Sequence, residues 1–230
     1  MESNGFDFNT LIADSKKALL KPEEYFSSMS TEGSLGTPII KALIYGAVAG
    51  VIYFIWSLLG IGAVGGMGGL VGGAVGIMAI IGSIIGALIG LFIGAVIILI
   101  LCAIANGKTE FEPIVHVSSS LLVIMPVSAV ASFFSVIHPI LGSLLVLAVN
   151  MYFLYMLFFA MTKTLNAKAD VSKIIMFIFA GLLILFFFIG ILATRATRSY
   201  MRDWNNIELS SEADRKLQIK NGDAFYGDYS

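Results

Sequence analysis

His116 and His138 are the only two imidazoles in the chain, and they stand 22 residues apart, near opposite ends of one apolar stretch. In a helix that separation is about 33 Å, too far for both to hold one metal ion. Glu112 precedes His116 by four residues and Glu110 is close by. A weak metal or proton site at this corner is one reading. A histidine at a membrane interface beside charged residues is the plainer one.

Asn150 is the one amide within a later apolar stretch. A polar group inside a membrane is a functional candidate by default, and more commonly it bonds to a neighbouring helix. Ser118, Ser119, Ser120, Ser128, Ser132 and Ser135 crowd the stretch before it, with Pro126 among them. These serines could line a wet path or bond back to their own helix carbonyls, and Pro126 predicts a kink. No acidic pair lies inside an apolar stretch, and no nucleophile has a base at usable spacing. The glycine-rich run 60–77 lacks the Lys-Ser/Thr ending of a phosphate loop. The pattern therefore predicts no catalytic residue, no metal and no cofactor.

The elements that position these residues follow from composition. The chain of 230 residues is 58% hydrophobic and 13% charged, against about 25% charged in ordinary soluble domains. Between Lys41 and Lys108 there is no Asp, Glu, Lys or Arg. About 20 apolar residues cross a bilayer core, so the chain reads as an integral membrane protein whose first partner is the lipid bilayer. A net charge of −1 gives no footprint for nucleic acid, and the lone Cys102 excludes an intrachain disulfide. The first 37 residues carry Glu2, Asp7, Asp14, Glu23, Glu24 and Glu32 and no apolar core, unlike a signal peptide.

An all-α, polytopic membrane bundle is expected, with an N-terminal amphipathic helix over residues 6–21. Phe8, Leu11, Ile12, Ser15 and Leu19 fall on one face of it. It would lie in the headgroup region or pack on the protein. Spans are predicted at about 38–59, 78–105, 113–136, 140–162 and 174–194. The run 60–77 reads as a loop, a re-entrant segment or the start of an overlong second helix. Five spans place Lys21, Lys41, Lys108, Lys163, Lys168 and Lys173 on one side, against Arg195, Arg198 and Arg202 on the other. Short flanks rich in Lys and Arg stay cytoplasmic, so the N-terminus is expected there. Six spans, with the glycine-rich run split into two helices, are the alternative and nearly erase this bias. The expected divisions are a cytoplasmic segment 1–37, a membrane domain 38–194 and a polar tail 195–230.

Gly82, Gly86, Gly90 and Gly94 recur every fourth residue through GSIIGALIGLFIG. In water each interior glycine costs a helix about 1 kcal/mol relative to Ala. In hydrocarbon the helix persists because unpaired backbone groups have no solvent to bond. The row then forms a groove about 18 Å long where another helix approaches closely. Gly46 and Gly50 offer a matching notch in the first span. These six glycines are the expected packing sites; His116 and Asn150 are the candidate polar functional residues.

Three segments together carry a resemblance: LLKPEEYFSSMSTEGSLGTPIIKALIYG (Leu19–Gly46), the glycine-rich second span, and NGKTEFEPIVHVSSSLLVIMP (Asn106–Pro126), followed by two closely spaced spans. This resembles the Yip1 domain family over roughly residues 16–194, with Pro22, Phe26, Pro38, His116 and Pro126 as the matching positions. The resemblance implies a five-span α-helical fold with a cytoplasmic N-terminus and a non-enzymatic role as a membrane scaffold or organiser. A small channel or transporter using polar residues of the third and fourth spans is the alternative. Eukaryotic members are linked to Rab GTPases and to vesicle traffic at the Golgi and endoplasmic reticulum, and carry an Asp-Leu-Tyr-Gly-Pro motif before the first span. This sequence has no such motif, so no Rab partner is expected. It is similar to the bacterial branch, implying an inner (cell) membrane location and, as partners, copies of itself or other membrane proteins.

Overall fold

A computed structural model describes residues 7–59 and 70–192, without side chains at 70–74 and Pro139. Helix α1 (Phe8–Leu20) and the short α2 (Pro22–Ser28) lead into α3 (Gly36–Leu58). The long α4 (Leu70–Ile104) follows, then α5 (Phe111–Leu121), α6 (Ile124–Ala131), α7 (Phe134–Ile137) and α8 (Pro139–Phe159), which ends in a π turn (Ala160–Thr164). A last helix, α9, runs Ala169–Leu192. No strand occurs among the described residues. Two compact units divide the chain after Ile184, and the packing described below lies within the first.

Five helical segments are long and apolar enough to cross a membrane: Gly36–Leu58, Val75–Ile104, Phe111–Ile137, Ile140–Thr164 and Ala169–Leu192. From Leu70 onward the glycine-rich run is the start of an overlong second helix, whose 35 residues extend about 52 Å. Residues 60–69 and the arginine cluster after 194 lie outside the described residues. The outward faces carry large apolar side chains, such as Ile85, Ile89, Ile93, Ile97 and Ile100 on α4 and Phe177 and Ile178 on α9. A soluble monomer rarely exposes so large an apolar surface; hydrocarbon is the medium that suits it.

The third span is broken twice, for two local reasons. Pro126 has no amide proton, and its ring crowds the carbonyl four residues earlier, that of Leu122. The helix accordingly breaks at Leu122–Val123, between α5 and α6, and the Leu122 carbonyl accepts instead from Met125 N at 2.9 Å. At the second break, the carbonyl of Ala129 is occupied by side chains. It accepts from Trp56 Nε1 at 2.9 Å and from Ser132 Oγ at 2.7 Å. Phe133 N turns instead to Val130 O at 3.2 Å, and the chain continues with tighter bonds into α7. Trp56 thus links the first and third spans, with its ring 5.0 Å from that of Phe133.

The two corners on one side of the bundle grip each other. Lys108 N donates to Leu165 O at 2.7 Å, and Lys168 N donates to Ala105 O at 2.9 Å. Asn106 and Asn166 both take φ +52°, a left-handed helix end that Asn tolerates better than most side chains. The sequences Ala-Asn-Gly-Lys (105–108) and Leu-Asn-Ala-Lys (165–168) are equivalent position by position. Gly107 lies so close to Ala167 that a Cβ there would be 3.0 Å from the Ala167 Cβ.

Candidate functional site

The polar residues of this end of the bundle converge on α1 and α2. α1 begins at Asp7, whose carboxylate accepts from Asn9 N at 2.9 Å and from Thr10 Oγ1 at 2.6 Å, satisfying part of the helix's free N-terminal donors. The hydrogen bond from Thr10 foremost, then that from Asn9, holds this carboxyl below its ordinary value. α1 ends before Pro22, which then opens α2 at a position where its missing amide proton costs nothing. Leu11 and Ala18 of α1 and Tyr25 and Phe26 of α2 are buried.

Three spans hold this segment. On α3, Tyr45 OH lies 2.8 Å from Ser15 Oγ. Ser15 spends its single proton on Leu11 O at 2.7 Å, so Tyr45 is the donor. Lys41 pairs with Asp14 at 3.6 Å. On α5, Tyr25 OH meets Ser120 Oγ at 3.0 Å. Ser120 donates to His116 O at 3.2 Å, so Tyr25 is the donor here. Burial foremost pushes the Tyr25 phenol well above its ordinary pKa, and it keeps its proton for this bond. On the fourth span, Tyr152 OH donates to Leu19 O, Thr164 Oγ1 donates to Phe26 O at 2.6 Å, and Lys163 pairs with Glu23 at 2.7 Å. The last pair is solvent-exposed and contributes at most about 1 kcal/mol. The buried hydroxyls matter more, since a lost partner leaves a polar group stranded. The arrangement is a latch: two short helices bonded across the ends of three spans.

His116 is buried within it. Its Nε2 lies 3.4 Å from Gly33 O, and Gly33 has φ +120°, a backbone that side-chain-bearing residues avoid. Glu110 and Glu112 remain exposed, and among the described residues no three potential metal ligands cluster. Ser119 Oγ also donates to His116 O, at 2.8 Å. Ser118 Oγ crosses to α4 and donates to Leu91 O at 2.8 Å. His138 lies at the α7–α8 turn. Asn150 is exposed, and its Nδ2 donates to Val146 O of its own helix at 2.8 Å. The structure therefore brings His116 together with Ser119, Ser120 and Tyr25, and keeps Asn150 apart from them. Tyr25, Tyr45, Ser15 and Tyr152 were not singled out as site residues from the sequence. Their signal was a hydroxyl on a face destined for burial, which must find a partner.

The six glycines part into two groups. A Cβ at Gly46 would stand 2.8 Å from the Ala87 Cβ and 2.9 Å from Ser83 O; one at Gly50 would stand 2.8 Å from the Ile80 Cα. Gly94 faces Ser118, whose Oγ would be 2.9 Å from a Cβ there. Gly82 and Gly86 have nothing within 4 Å, and Gly90 only Leu122 Cδ2 at 4.0 Å. The notch of α3 thus rides on the neighbouring row of α4, through Ile80, Ser83, Ile84 and Ala87, while Gly82 and Gly86 face outward.

An all-α bundle of five apolar helices capped by an amphipathic segment defines a polytopic integral membrane protein. The chain belongs to the Yip1 domain family, whose family model matches residues 16–192. No curated protein and no solved structure matches it significantly.

Proposed function

We propose that this chain is a non-enzymatic scaffold or organiser within the bilayer of a bacterial inner membrane. Residues 1–37 lie on the cytoplasmic side, 38–194 form the membrane domain, and 195–230 form a polar tail. The observation that carries the reading is the latch. Its hydroxyls spend their hydrogen bonds on the protein itself, through Tyr45–Ser15, Tyr25–Ser120 and Thr164–Phe26, and the His116 ring faces Gly33 O. Groups committed in this way fix the shape of a surface. Ion-coupled pumps instead use charged or histidine side chains inside the membrane, and the sequence between Lys41 and Lys108 has no Asp, Glu, Lys, Arg or His. The partners are other membrane proteins and further copies of the chain, with no Rab GTPase and no nucleic acid.

Reconstitution of the purified protein in lipid vesicles tests this. Proton and small-solute flux should equal that of protein-free vesicles, and photo-crosslinking in native membranes should recover other membrane proteins through the membrane domain. Solute flux that disappears in Asn150→Leu would replace the scaffold with a channel or transporter.

A further inference from the structure

Asn150 stands 10 residues from the start of the span Ile140–Thr164, about 15 Å along the helix axis, and so close to the middle of a hydrocarbon layer about 30 Å thick. Its side chain is exposed. A carbonyl only accepts, so the amide nitrogen must be the atom that faces Val146 O, 2.8 Å away. One N–H and the whole of Oδ1 remain. Neither has a partner among the described residues, and at this depth there is no water to supply one.

The helix face around Asn150 is already a protein contact elsewhere along its length. Val146, Asn150, Leu154, Leu157 and Met161 share it at helical spacing. Leu154, Leu157 and Met161 are buried; α8 and its π turn pack against α2, and α8 packs also against α5, α6 and α7. Val146 and Asn150, toward the other end, are exposed. The covered face therefore continues into an uncovered half that carries the one amide of the span.

We infer that this half-face binds a second copy of the chain, with Asn150 meeting the partner's Asn150. The chemistry selects that occupant. The unspent donor and acceptor of a primary amide complement those of an identical amide. Two copies inserted in the same sense place the two groups at the same depth, and a two-fold axis along the membrane normal brings like residue to like residue. A lipid chain offers neither donor nor acceptor. The contact rests on the reading that copies of the chain are partners, and names the residue through which they meet.

The test is cross-linking of the full chain in lipid vesicles. In a Cys102→Ala background, Asn150→Cys should form a disulfide-linked dimer on mild oxidation, whereas Leu144→Cys should not. Leu144 is exposed on the same helix but about 120° around it. As a second readout, energy transfer between differently labelled copies should show Asn150→Leu weakening association about 3- to 30-fold, with Asn150→Gln retaining more of it than Leu. Cross-linking at position 150 no greater than at 144, or association unchanged in Asn150→Leu, would overturn the inference. The same results would assign the face to lipid or to a different protein.

Discussion

Gly94 lies beneath Ser118: the serine hydroxyl reaches Leu91 O at 2.8 Å, and a Cβ on residue 94 would stand 2.9 Å from that hydroxyl oxygen. The glycine is the opening through which one helix bonds to the backbone of another. Ser118→Ala should cost about 1 kcal/mol by loss of the bond, and Gly94→Ala a similar amount by pushing the hydroxyl aside. The two losses should not add. With Ser118 already Ala, the crowding atom is gone and Gly94→Ala should be near neutral. Thermal unfolding of the four proteins of this cycle in detergent measures the coupling; strict additivity would sink the assignment.

The two groups of glycines make opposite predictions. Gly46→Leu and Gly50→Leu force a side chain into the backbone of α4 and should destabilise the chain by about 1–3 kcal/mol or more. Gly82→Leu and Gly86→Leu enter open space within the chain, and should leave its unfolding temperature in detergent unchanged or slightly raised. Equal destabilisation by all four would mean that a different row of α4 meets α3.

Phe26 is fully buried between the spans, so Phe26→Ala should cost about 3–5 kcal/mol, enough to release α2. Tyr25→Phe should cost less, about 1–2 kcal/mol, because it removes one hydroxyl and leaves Ser120 short of a donor. Hydrogen exchange across residues 8–28 in vesicles separates the two. Protection should vanish in the first variant and weaken in the second, while exchange in α4 stays slow in both.

The Asp7 cap predicts a pH dependence with a definite sign. Its carboxyl is held low in the folded chain, foremost by Thr10. The cap is therefore present above the ordinary carboxylate value and is lost as pH falls through the lowered one. Amide exchange at Asn9 and Thr10 should quicken on acidification below that point. Asp7→Asn should remove this pH dependence while retaining much of the cap.

The five spans were legible because hydropathy over 20 residues is a property of sequence alone, and hydrocarbon enforces it. The break near Pro126 was legible for the same kind of reason, a missing proton and a ring. The break at Ser132–Phe133 was not, because it depends on Trp56 arriving from another span to occupy Ala129 O. The row of α4 that meets α3 was also hidden. Gly82, Gly86 and Gly90 form one small-residue row, and Ser83 and Ala87 begin another one position on. Periodicity cannot choose between rows one residue apart; the neighbouring helix does. For α1, the amphipathic pattern named Leu11, Ser15 and Leu19, which pack inward, together with Phe8 and Ile12, which remain exposed. A single stripe could not reveal that the helix has one side on protein and another directed outward.

The matched corners at 105–108 and 165–168 have a mechanical consequence. Because each amide is lodged on the other turn's carbonyl, the rods leading into and out of these turns share a pivot at one margin of the membrane. Rocking about that pivot would spread them most in the opposite leaflet. An insertion into either turn would unhook both hairpins at once, so these two short loops should tolerate added residues far worse than surface loops ordinarily do.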